Sequence, residues 1–240
     1  MRFELKRENI GKGTLICVNA DHLLMHQERD LEKLTKDIWL EKKTNRNLQL
    51  ALKRIDARSK IVAVSGFRSL QEQTDLYQTS LKENGELYTK RFVALPNASE
   101  HQSGLAIDLA LNSDNIDFIC PSFPYYGICQ AFRDIAMRFG FIERYTEEKK
   151  LITKIAKEEW HFRYVGIPHA EIMKERQLCL EEYIEWIKQF TYPKWYCCKG
   201  YKLSYIPYQN ENFWIDLKRN QSISGNNIDG FILTEQVYAE

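Results

Sequence analysis

The 240-residue chain is 44% apolar and 28% charged, enough to bury one substantial core and carry one small appendage. Its 34 Lys and Arg against 33 Asp and Glu leave a formal charge of +1, which excludes a whole-molecule field for drawing in nucleic acid or an anionic membrane. No apolar run reaches the length of a signal peptide or a membrane span, so a soluble cytoplasmic protein is expected.

Thr14-Leu15-Ile16-Cys17-Val18 is a short apolar run ending in polar residues and predicts an early strand. Leu31, Leu34, Ile38 and Trp39 recur at helical spacing, as do Leu48, Leu52 and Ile55, and predict two amphipathic helices whose apolar side chains are core. Lys60-Ile61-Val62-Ala63-Val64 is rich in β-branched residues and reads as a strand entering a tight turn at Ser65-Gly66-Phe67-Arg68-Ser69. A helix should follow, with Leu70, Leu76 and Tyr77 as its apolar stripe and Asn84-Gly85 as its stop.

Residues 105–111 suit a buried strand in which Asp108 is the one expensive residue. Residues 127–139 place Ile128, Ala131, Phe132, Ile135, Ala136 and Phe139 on one helical face, closed by Gly140. Residues 141–145 and 160–165 read as strands, and helix returns from about Pro168 to Phe190. Beyond Tyr192-Pro193, aromatic runs such as Tyr201-Lys202-Leu203-Ser204-Tyr205, with a turn at Asn226-Asn227-Ile228-Asp229-Gly230, predict a small β-rich extension over residues 191–240. Cys17, Cys120, Cys129, Cys179, Cys197 and Cys198 have no C-x-x-C spacing and read as reduced thiols.

Two distant segments offer metal ligands: Ser99-Glu100-His101-Gln102-Ser103-Gly104-Leu105-Ala106-Ile107-Asp108 and Glu158-Glu159-Trp160-His161. A His/Asp/His set leaves a tetrahedral zinc one position short, the open arrangement of a catalytic site. His101 and Asp108 are seven residues apart, which on one regular strand would put them on opposite faces. Both reach one metal if His101 sits in a loop before the strand, turned at Gly104. The competing reading of Asp108 is an ion pair with an arginine. Strand parity puts Glu159 on the face of His161, whereas Glu158 needs a bulge to reach it, and the residues alone do not choose between these bases.

Ser-x-His-x-x-Gly-x-Ala-x-Asp, the later Glu-x-Trp-His and the earlier Ser-Gly-Phe-Arg-Ser together resemble the zinc D-Ala-D-Ala peptidases of the VanX, VanY and VanXY type. Phe92-Val93-Ala94-Leu95-Pro96 and Trp160-His161-Phe162-Arg163-Tyr164-Val165-Gly166 are most similar to the bifunctional VanXY group of vancomycin resistance, and the resemblance runs in order over roughly residues 14–190. It implies His101, Asp108 and His161 as zinc ligands, Glu158 as the base, Arg68 as the cation facing the transition state, and Gln73 and Ser99 as substrate contacts. For Gln73 a plain solvated helix residue is the alternative.

The implied fold is α+β: a small, mostly antiparallel sheet flanked by helices with zinc at the sheet edge. Residues 1–190 would form the catalytic domain and 191–240 an extension of unknown role. The implied substrates are the D-Ala-D-Ala dipeptide and the pentapeptide tail of the cell-wall precursor, with Tyr125, Tyr126 and residues 144–155 as pocket walls. Two rivals stand beside this reading, an L,D-endopeptidase on peptidoglycan and a non-catalytic cell-wall-fragment sensor.

Overall fold

A computed structural model describes residues 2–25 and 28–237. The chain begins with β1 (Arg2–Leu5), the short strands β2 (Leu31–Lys33) and β3 (Trp39–Glu41), α1 (Lys42–Arg54), β4 (Ile61–Ser65) and α2 (Leu70–Phe92). It continues through β5 (Ala106–Leu111), α3 (Gly127–Ala136), β6 (Phe141–Tyr145), α4 (Lys150–Thr153), β7 (Glu158–Tyr164), α5 (His169–Arg176) and α6 (Leu180–Ile187). Five strands end the described chain: β8 (Tyr196–Cys198), β9 (Tyr201–Pro207), β10 (Phe213–Asp216), β11 (Gln221–Gly225) and β12 (Gly230–Gln236).

The principal sheet has the order β4-β5-β7-β6, with antiparallel neighbours throughout. Alternation along β5 and β7 divides their side chains between two faces. Ile107, Leu109 and Phe162 join the main core with Leu48 and Ala51 of α1 and Cys129 and Phe132 of α3. Phe162 meets Phe123 and Phe132 edge to face at 5.3 and 5.0 Å. Truncating so enclosed a ring to alanine costs about 3–5 kcal/mol. The opposite face carries Asp108, His161 and Arg163, so the sheet that builds the core also aims the chemistry.

Residues 31–41 form the hairpin of β2 and β3 in place of the expected helix. Their apolar residues are spaced for a helix, but Trp39 is exposed and the backbone is occupied elsewhere: Trp39 O accepts from Phe67 N at 2.7 Å, and Glu41 N donates to Gly104 O at 2.9 Å. Leu15, Ile16, Cys17 and Val18 are buried but make no strand ladder, in place of the expected strand. Side chains satisfy their backbone instead, as when Leu15 N donates to Ser224 Oγ at 2.9 Å. Gly85 kinks α2 at φ 80° and does not end it, and the expected helix over 168–190 breaks at Gln177, whose φ is 54°. Gly140, at φ 83°, closes the turn after α3 as anticipated.

A second sheet, ordered β11-β12-β9-β8, follows α6, and β1 pairs with β10. Leu203 and Ile232 from this sheet share one buried cluster with Leu180, Tyr183 and Ile184 of α6 and with Leu15 and Cys17. Val165, just after β7, joins the same cluster and links the C-terminal strands and the N-terminal segment to the principal sheet. No helix among the described residues is long and apolar enough to cross a membrane.

Candidate active site

Asp108 and His161 face each other as direct partners in the ladder of β5 and β7. His101 lies in a single 3-10 turn, Glu100–Ser103, that ends at Gly104 with φ 72°. A Cβ at Gly104 would add to that left-handed strain a contact at 3.0 Å with Leu31 and 3.1 Å with Glu41 N, so glycine alone suits the turn. The turn brings His101 Nε2 to 3.1 Å from Asp108 Oδ2, while His161 Nδ1 lies 2.9 Å from Asp108 Oδ1. One ligand atom from each of the three residues lies within 4.8 Å of the others.

The donor set suits a metal in its outer contacts as well. His101 Nδ1 is 2.7 Å from Gly66 O, and donating there leaves Nε2 with its lone pair towards the site. His161 Nε2 lies 3.4 Å from Glu100 Oε2, which likewise frees Nδ1. Neutral imidazoles and a carboxylate at these positions are zinc-type ligands, and three of them leave a coordination position open. Burial alone would raise the Asp108 carboxyl, but the two histidines outweigh it and hold Asp108 well below the usual carboxylate range. Burial lowers His101, whereas at His161 the bonds to Asp108 and Glu100 overcome burial and raise it to about 10, so a metal there displaces a proton.

Glu158 Oε2 sits 3.8 Å from His161 Nδ1 on the wall of the same cavity. The ladder between β6 and β7 shifts from Glu143 opposite Phe162 to Tyr145 opposite Glu158, and this irregularity overrides simple parity. Glu159 turns away, with Oε1 accepting from Phe123 N at 3.2 Å. Burial pushes the Glu158 carboxyl up to about 8; His161 opposes the rise, and the Asp108 and Glu100 carboxylates add to it.

Arg68 enters from the turn between β4 and α2. Gly66 permits the turn, because a Cβ there would lie 2.5 Å from Trp39 O. Arg68 N donates to His101 O at 3.3 Å, tying this turn to the ligand turn. The helix begins at once with a capping box in which Ser69 and Glu72 satisfy each other's backbone N–H. Arg68 donates to Gln73 Oε1 at 2.7 Å and to Ser65 Oγ at 2.9 Å. Both partners are neutral, so they aim the guanidinium without quenching its charge.

A cavity of about 400 Å³ gathers Arg68, Gln73, Ser99, His101, Asp108, Glu158 and His161. Gln73 is 1% exposed, with its amide nitrogen donating to Ala94 O at 2.7 Å, which excludes the solvated-helix alternative. Tyr145 and Ile155 line the cavity from the segment expected to do so. Tyr125 and Tyr126 are absent from its wall: the Tyr125 hydroxyl bonds the Glu143 carboxylate, and Arg133 stacks on the Tyr125 ring. Phe118, Ile119, Phe92 and Trp160 line it instead. Phe92 and Trp160 stand inside the family-like segments without a role implied for them, and Phe118 and Ile119 belong to no motif.

The sequence model of the VanY family, described as D-alanyl-D-alanine carboxypeptidase, matches residues 37–167. The chain is 42% identical over 183 residues, 74% of its length and 96% of the relative's, to the bifunctional D-Ala-D-Ala dipeptidase and D-Ala-D-Ala carboxypeptidase VanXYC of Enterococcus gallinarum. It belongs to the VanY family. Within that family it superposes on the vancomycin-resistance D,D-dipeptidase VanXYg, solved with a D-Ala-D-Ala phosphinate analogue, at a TM-score of 0.95 and 44% identity, covering 98% of both chains. A vancomycin-resistance D,D-pentapeptidase VanY in complex with Zn(II) gives a TM-score of 0.62 at 28% identity over 71% of this chain and 98% of that one. The likeness to VanXYg therefore includes the C-terminal strands.

Proposed function

We propose that this protein is a zinc D,D-peptidase that hydrolyses the D-Ala-D-Ala dipeptide and removes the terminal D-Ala from the pentapeptide of the peptidoglycan precursor. The convergence of Glu158 and Arg68 on the His101, Asp108 and His161 cluster in one cavity carries this reading. The activities named for VanXYC and VanXYg support the substrate class. The non-catalytic rival fits poorly with a base and a cation both aimed at the metal site. Six unpaired cysteines, several of them buried, suit a reducing compartment and support action in the cytoplasm.

His101, Asp108 and His161 would hold zinc, which would supply a Lewis acid and lower the pKa of water at the site from about 15.7 towards about 7. Glu158, beside His161, accepts the proton of the attacking water and returns it to the departing amine. Arg68 donates to the oxygen of the scissile carbonyl as negative charge develops there, where a fixed donor is worth on the order of 3 kcal/mol. Ser99, on the wall, contacts substrate, and Gln73 acts by holding Arg68.

Purified zinc-loaded protein incubated with D-Ala-D-Ala and with the pentapeptide should release alanine from both. Release from neither contradicts the proposal, and release from the dipeptide alone restricts it to the smaller substrate.

A further inference from the structure

Behind the ligands lies a buried charge cluster that the hydrolytic steps leave unused. Glu100 is 1% exposed and has no solvent to stabilise its charge. Its Oε1 accepts from Arg144 Nε at 2.9 Å and from Arg163 Nη1 at 2.8 Å, while its Oε2 faces His161 Nε2 at 3.4 Å. Arg144 also grips Glu181 through both terminal nitrogens, at 2.9 and 2.6 Å. Two carboxylates thus balance two guanidiniums inside the protein. Burying ion pairs is a poor way to gain stability, since apolar residues of equal volume serve as well or better. The asymmetry at Glu100 gives the cluster another purpose: one oxygen is pinned by both arginines, and the other is left for the histidine.

We infer that Glu100 is a positioning residue that sets the ring orientation and tautomer of His161 as a metal ligand, an inference that rests on the zinc reading above. A carboxylate receiving the Nε2 proton leaves the Nδ1 lone pair, on the side of Asp108 and Glu158, as the metal-ligating atom. The mount extends beyond the principal sheet. Arg163 stands two residues after His161 on the same strand, and its Nη2 donates to Thr14 O and Ile16 O, both at 2.9 Å. Asn19 donates to Glu181 at 3.1 Å. That N-terminal strap is in turn held by the C-terminal sheet: Ser224 Oγ accepts from Leu15 N, Asn226 O accepts from Cys17 N, and the Asn227 amide donates to Cys17 O and Leu23 O. The C-terminal strands thereby fix the strap that fixes Arg163, and through Glu100 they reach a metal ligand.

The test uses the full chain. Zinc affinity of the parent, Glu100→Gln and Glu100→Ala is measured by competition with a chromophoric chelator, alongside far-UV circular dichroism of each metal-free protein. We expect zinc binding 10- to 100-fold weaker in a folded Glu100→Gln variant, the usual loss when an outer partner of a ligand is removed. Nitrogen-15 NMR of the His161 ring in the zinc-loaded parent, which needs no variant, should place the proton on Nε2 and the metal on Nδ1. Parent-like affinity in folded Glu100→Gln, or zinc on Nε2, overturns this inference and leaves the peptidase reading standing. A parent that binds no zinc overturns both.

Discussion

Gln73 holds Arg68. The Gln73 Oε1 accepts from Arg68 Nη1 at 2.7 Å, and its own amide nitrogen is anchored on Ala94 O at the same distance. A glutamine spent on both sides in this way acts through the arginine. We expect Arg68→Ala to lower kcat/KM by roughly 10²–10³-fold with zinc content unchanged, the scale of losing one oxyanion donor. Gln73→Ala should cost less, and the double variant should be no worse than Arg68→Ala alone. Additive losses in that cycle would mean that Gln73 touches substrate independently.

The Ser-Gly-Phe-Arg turn supports a ligand as well as presenting a cation, because Gly66 O is the partner of His101 Nδ1. In Gly66→Ala the new Cβ would lie 2.5 Å from Trp39 O and 2.7 Å from Ile38 Cγ2, so the turn must move. Overpacking of this kind costs about 1–3 kcal/mol. Urea unfolding should register that loss, and a zinc titration should register weaker binding as His101 loses its anchor. Parent-like behaviour in both measurements would show that the turn yields without disturbing His101.

His169 is buried between the Tyr183 hydroxyl, 2.6 Å from Nδ1, and Thr234 Oγ1, 3.1 Å from Nε2, at the junction of α5, α6 and β12. Burial lowers its pKa from 6.5 to about 3. Between those values the unfolded imidazole binds a proton that the folded one refuses, so stability falls as pH drops below 6.5, by about 1.4 kcal/mol per unit. Urea midpoints of zinc-free protein at pH 7 and pH 5 should show the parent losing roughly 2 kcal/mol more than His169→Gln. Equal losses would remove His169 as the source.

Much of the site was legible because its residues are chemically distinctive and its strands carry strong local signals. Asp108 within an apolar run announced a compensated charge, and β4, β5, α3 with Gly140, and β6 follow from patterning alone. What was missed depends on contacts distant in sequence. Leu31 to Trp39 have helical spacing, but their partners are the backbone of Phe67 and Gly104, so a hairpin forms. Residues 14–18 are apolar like a strand, but side chains of Arg163, Ser224 and Asn227 satisfy their backbone. Glu100 lay inside the recognised segment and went unassigned, since Arg144 and Arg163 meet it only across 44 and 63 residues. Strand parity leaves Glu158 and Glu159 open and only the family resemblance implies Glu158, because the ladder irregularity that faces Glu158 towards His161 is not encoded in residue identity.

The most direct measurement is alanine release from D-Ala-D-Ala by the parent, Glu158→Gln and Glu159→Gln, with zinc content determined on the same preparations. Glu158 faces His161, whereas Glu159 is committed to Phe123 N. We expect Glu158→Gln to keep its zinc and lose roughly 10²–10⁴-fold in kcat, the range for a removed general base, while Glu159→Gln stays within a few-fold of the parent. Parent-like turnover by zinc-loaded Glu158→Gln, or equal losses at the two positions, would contradict the assignment of Glu158 as the base.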